Sequence, residues 1–91
     1  MTRQEYNIKI ADIISGTKFS IIYDSLLYFI KRYPQQRFGQ IICNYICPDY
    51  RMNCSLFTHL FMSKFFPNNP DPFFEESEKT YDRICPNITK S

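Results

Sequence analysis

This chain of 91 residues has one histidine, two glycines and no apolar run near the ~20 residues that span a bilayer. The missing run excludes a membrane-spanning helix. A single histidine, His59, means that any Cys–His nucleophile pair has to use it, and nothing in its local sequence resembles a nucleophile site. No Cys-x-x-Cys pair occurs, although structural zinc sites favour that knuckle. Internal repeats and low-complexity tracts are absent. Bulk charge is absent too: the net charge is +2, too small to imply polyanion binding by itself.

What is present is aromatic. Nine Phe and seven Tyr make up 18% of the chain. Each ring can bury ~150–250 Å², so a small core can still hold. A chain of this length hides only ~60–65% of its unfolded surface, and it has more rings than such a core can cover. Clustered apolar surface left outside marks a partner site. The length fits one domain, residues 1–91. Residues 1–64 carry eight Lys/Arg against four Asp/Glu, and residues 65–91 three against five. A weakly basic body therefore precedes an acidic segment.

Met1 to Glu5 has no apolar stretch of the kind that starts a secretory leader, so the expected compartment is cytoplasm. The four cysteines, Cys43, Cys47, Cys54 and Cys85, are then expected as reduced, packed thiols.

The apolar spacing predicts an all-α fold of four to five short helices. Tyr6, Ile10, Ile13 and Ile14 suggest a helix over 5–14, closed by Ser15-Gly16-Thr17. Ile22, Leu26, Phe29, Ile30 and Tyr33 mark one face of a helix over 18–33. Lys31 and Arg32 suit its C-terminus, and Pro34 stops it. Phe38, Ile41, Ile42, Tyr45 and Ile46 continue the pattern over 35–47, with Gly39 allowing close approach of another backbone. The short link at Pro34 predicts an antiparallel helical hairpin. Residues 49–54 read as a loop. Ser55 is an expected N-cap for a helix over 56–66 with Leu56, Phe57, Leu60, Phe61 and Phe65 on its face. Pro67 to Pro72 breaks the chain, Asp71 caps a turn, and a last helix is expected between Glu75 and Ile84. Residues 85–91 read as a frayed tail. Leu26, Phe29, Ile30, Ile41, Ile42, Leu60 and Phe61 are the expected core.

Several constellations invite a chemical reading. Cys43, Cys47, Cys54 and His59 could supply four zinc ligands, but their spacing is irregular and no metal or other cofactor is expected. Asp71, Glu75, Glu76, Glu78 and Asp82 could pair for acid–base work. They read better as a solvated face with helix N-terminal charge, so no catalytic residue is assigned and an enzyme is not expected. Arg37, Gln40 and Asn44 share one helical strip. They are expected to bond the loop around 67–74, and with Gly39 and Asp71 they form the structural motif. Lys31, Arg32, Arg37 and Arg51 interleave with Tyr33, Phe38 and Tyr50, a pattern that can hold RNA.

The block Tyr33-Pro34-x-x-Arg37-Phe38-Gly39-Gln40-x-x-x-Asn44-Tyr45, followed by Phe66-Pro67 and Asp71-Pro72-Phe73-Phe74-Glu75, resembles a group of short phage and mobile-element proteins. The resemblance spans roughly residues 22–82. The chain departs from the pattern at Phe74, where Tyr is common, and in its four cysteines. The resemblance implies a phage or prophage origin and a bacterial host. It further implies occupation of a larger host protein, such as a defence nuclease or CRISPR ribonucleoprotein. The expected function is thus a non-enzymatic, anti-CRISPR-like binding module. A small RNA-binding accessory protein is the alternative. Tyr33, Arg37, Tyr50, Arg51, Phe73 and Phe74 are the expected contacts, since interface hot spots favour Tyr and Arg.

Overall fold

The computed structural model describes residues 1–47, 55–67 and 74–84. Among them five helices and no strand occur, so the domain is all-α. Helix α1 spans Arg3–Ser15. It begins at a capping box: Glu5 N–H donates to Thr2 Oγ1 at 3.2 Å, and Thr2 N–H donates to Glu5 Oε1 at 2.8 Å. The helix thus starts two residues before the expected start at residue 5. Its buried stripe is Asn7, Ile10, Ala11 and Ile14. Gly16 and Thr17 donate backbone N–H groups to Ile13 and Ile14 and close its C-terminus.

The expected helix over 18–33 is shorter. Thr17 Oγ1 accepts from Phe19 N–H, and Thr17 C=O accepts from Ser20 N–H. These bonds hold the chain in a tight turn, then a 3₁₀ turn over Ser20–Ile22. Phe19 and Ile22 point inward as a result. Helix α2 then spans Tyr23–Arg32 and buries Leu26 and Ile30. It stops at Tyr33, whose φ of −126° and ψ of 68° keep it out of the helical region, as a residue before proline requires.

Helix α3 spans Phe38–Ile41 and runs on as a π turn over Ile42–Ile46. It starts three residues later than its periodicity suggests, and of its predicted stripe Phe38, Ile41, Ile42 and Ile46 are buried while Tyr45 is half-buried. It packs on α2, as the expected hairpin requires. Helix α4 spans Ser55–Phe65 and helix α5 spans Ser77–Ile84. Helix α1 is central, packed against both α2 and α5. None of these helices is long and apolar enough to cross a membrane.

The core joins Ile10, Ile14, Phe19, Ile22, Leu26, Ile30, Phe38, Ile41, Ile42, Phe61, Phe65 and Phe66 with smaller contributions around it. Two expected core positions are corrected. Leu60 is 40% exposed, and Leu56, one turn away, is 68% exposed. Helix α4 presents Phe61 and Phe65 instead. Phe19 meets both edge to face, at 5.3 and 5.6 Å between centroids. Two rings bury more area than two leucines, so they win the inward face. Phe29 is also corrected, from core to half-buried. The expected loop over 49–54, the turn over 68–72 with its Asp71 cap, and the tail lie outside the described residues.

This orientation of α4 predicts unequal losses. Phe61→Ala should cost about 3–5 kcal/mol, whereas Leu60→Ala should cost under about 1 kcal/mol. Urea midpoints read the difference, and equal shifts would place α4 in another rotation.

Candidate functional site

The polar residues of α1, α3 and α5 converge on one buried point. Asn7 is fully buried on the stripe of α1, where the period calls for an apolar side chain. Its Nδ2 donates to Gln36 C=O at 2.9 Å. Its Oδ1 accepts from Ser77 Oγ, the first residue of α5. Ser77 Oγ in turn accepts from Phe38 N–H, the first amide of α3, at 3.0 Å. That amide is one of the orphan donors at a helix start. The residue before α3 is Arg37, and a guanidinium has no acceptor with which to cap it. Gln40 therefore closes only half of a capping box, accepting from Arg37 N–H at 2.7 Å. Ser77 supplies the other cap from 39 residues away.

Charges ring this point. Arg3 Nη2 lies 3.1 Å from Glu76 Oε1, and Arg37 Nε lies 2.8 Å from Glu76 Oε2. Arg3 also donates to Gln35 C=O. The hydrogen bond from Arg37, with Arg3 and Arg37 charges beside it, holds the Glu76 carboxyl below its ordinary value. These three side chains are partly exposed, at 36%, 28% and 48%, so each pair is worth only ~0–1 kcal/mol. The buried bonds weigh more, because each orphaned donor or acceptor costs ~1–3 kcal/mol.

A second clamp sits at the other end of α5. Arg83 binds Glu75 through two nitrogens, at 2.6 and 2.9 Å, and also donates to Phe65 C=O. That carbonyl is among the last of α4, which lack partners within the helix. Glu75 is thus mostly buried rather than part of a solvated face, with a side chain 12% exposed. Thr80 Oγ1 donates to the same carboxylate at 2.6 Å.

The outer side of α2 and α3 carries a ring stack. Tyr33 and Tyr45 lie 4.6 Å apart at 1°, and Phe29 and Tyr45 lie 4.8 Å apart at 13°. Gln36 Nε2 donates to Tyr45 Oη at 3.1 Å, and Asn44 Nδ2 approaches Gln36 Oε1 at 3.4 Å. The Arg32 guanidinium stands 5.9 Å from the Tyr33 centroid.

The expected site residues thus separate. Arg37, Gln40 and Asn44 have internal partners, at Glu76, at the Arg37 amide and at Gln36. The loop they were expected to hold lies outside the described residues except at its ends, and Arg37 reaches past it to Glu76. Gly39 is buried beside them. Phe38 is fully buried and offers no ring to a ligand, while Tyr33 belongs to the stack. Phe74 is 67% exposed. Tyr50, Arg51, Asp71 and Phe73 lie outside the described residues, as do Cys54 and Cys85. Cys43 is half-buried on the π turn and Cys47 is half-buried just after it, and His59 is exposed on α4. Among the described residues no cluster of His, Cys, Asp or Glu is placed to hold a metal ion. Sequence reasoning missed Asn7, Ser77, Arg3 and Arg83. A signal existed only for Asn7, a polar residue on an apolar stripe.

No protein-family model, curated protein or solved structure matches this chain.

The ionic ring predicts a pH dependence. A lowered Glu76 value adds stability above about pH 4.3, and that stability is lost as pH falls through the folded value. Glu76→Gln should therefore melt below wild type at pH 7 and converge on it in acid. A gap that stays constant down to acid pH would remove the carboxylate from the account.

Proposed function

We propose that this domain is a non-enzymatic module that binds a larger protein. The observation that carries the reading is the outward row on α4. Leu56 and Leu60 stand one turn apart, 68% and 40% exposed, with exposed His59 between them. Phe74 adds a ring that is 67% exposed in the acidic segment. Apolar side chains grouped on one helix face fit the way a partner helix or groove is held. Further support comes from the polar block at residues 36–44. Its side chains are engaged within the fold, which leaves them an architectural role. Contact with a partner then falls to the exposed apolar residues, and Arg37 contributes at most an edge.

The setting rests on the resemblance of the Pro34–Asn44 block to short phage and mobile-element proteins. It makes the partner a bacterial defence protein, with a CRISPR effector as the leading example, met in the host cytoplasm. A fold of this kind carries no function on its own.

Affinity capture from a nuclease-treated bacterial lysate, followed by mass spectrometry, tests the proposal. Leu56→Glu with Leu60→Glu should leave helicity and melting nearly unchanged, because both side chains are exposed. Capture of the identified partner should weaken tenfold or more, about 1.4 kcal/mol. Undiminished capture by the double variant, or no protein captured by wild type, would overturn it.

A further inference from the structure

The ring stack on α2 and α3 has a chemistry different from that of α4. We infer that Phe29, Tyr33 and Tyr45, with Tyr28, Lys31 and Arg32 beside them, form a stacking platform for a single-stranded nucleic acid. The three stacked rings are parallel within 14°. Each residue is half-buried rather than enclosed, and the stacking fixes the orientation of its ring. Tyr28 stands edge-on to Phe29 at 5.1 Å and is 58% exposed. A ring held in place loses little freedom when a base stacks on it.

The charges suit phosphate. Lys31 and Arg32 are both exposed in the last turn of α2. Arg32 lies over the Tyr33 ring, and the hydrogen bond to Tyr33 raises its ordinary value, so it is cationic at any working pH. Helix α2 itself exposes no aliphatic side chain: Leu26 and Ile30 are buried and Leu27 is half-buried, and the exposed Ile21 precedes the helix. Rings and cations without exposed aliphatic side chains favour bases and phosphates over an apolar protein surface, in contrast to Leu56 and Leu60. The inference does not depend on the α4 reading, and the two use different residues.

Titration of the full chain into fluorescently labelled oligo(U) RNA and oligo(dT) DNA tests it, with a duplex of the same length as control. Saturable binding of the single strands is expected, with weaker binding of the duplex. Two phosphate contacts predict a log–log salt slope of about −1.4. Lys31→Glu with Arg32→Glu should lower affinity tenfold or more while the chain stays helical and folded, with a modest drop in melting temperature from the lost C-terminal charge of α2, and Tyr28→Ala should lower affinity severalfold. Leu56→Glu with Leu60→Glu should leave nucleic-acid binding intact. The inference is overturned if neither single strand binds saturably at low salt, if the duplex binds as well, or if charge reversal leaves binding unchanged. It is also overturned if charge reversal abolishes capture of a protein from nuclease-treated lysate while wild type binds no oligonucleotide, which would give the patch to a protein partner.

Discussion

A buried amide on an apolar stripe is the constraint from which the rest of this fold follows. Asn7 sits where α1 would otherwise present an aliphatic side chain, at zero exposure. Burying its donor and acceptor unpaired would cost several times the net value of an ordinary hydrogen bond. The carboxamide is satisfied on both sides, by Gln36 C=O and by the Ser77 hydroxyl. Ser77 then spends its own acceptor on the first amide of α3. One chain of hydrogen bonds thereby sets the positions of α1, α3 and α5, from residues up to 70 apart in sequence. Apolar packing would tolerate a helix that slides or rotates. These bonds are directional and do not.

The arrangement gives the polar block of residues 36–44 a physical meaning. Arg37 ties the start of α3 to Glu76, and Gln40 folds back onto the Arg37 amide. Gln36 offers its carbonyl to Asn7 and its side chain to Tyr45. Glu76 and Ser77 are neighbours, and each reaches both α1 and the start of α3. The motif expected to anchor the loop around 67–74 therefore reads, in its described partners, as a joint between helices. The ion pairs around it are half-exposed and contribute little each. The buried hydrogen bonds carry the specificity of the joint. The surfaces proposed for recognition lie outside it, at the exposed leucines on α4 and the ring stack on α2 and α3.

The helices were legible in the sequence because their apolar periods were clean. Leu26, Ile30, Ile41 and Ile42 fell inside as their spacing required, and Pro34 ended α2 as expected. Helix α4 was misread because Leu56, Phe57, Leu60, Phe61 and Phe65 are all apolar. When two adjacent faces both look inward, periodicity cannot choose, and ring size decided in favour of Phe61 and Phe65. The 3₁₀ turn at Ser20–Ile22 was hidden because Thr17 directs it by a side-chain bond that no hydrophobic pattern records. The joint itself was half legible. Arg37 and Gln40 stood out, but Ser77 is an ordinary serine in an acidic run. Its role appears only when α5 lies against α1, which is a tertiary fact. The capping box at Thr2 and Glu5 was readable and was missed.

The most direct test of the joint is a double-mutant cycle between Asn7 and Ser77, measured by urea unfolding at neutral pH. Each single change to alanine orphans the other residue's partner atom, whereas the double variant removes both at once. The account predicts a coupling of about 1–3 kcal/mol. Effects that simply add, to within ~0.5 kcal/mol, would mean that the two side chains do not depend on one another, and that the helices are placed by apolar packing alone.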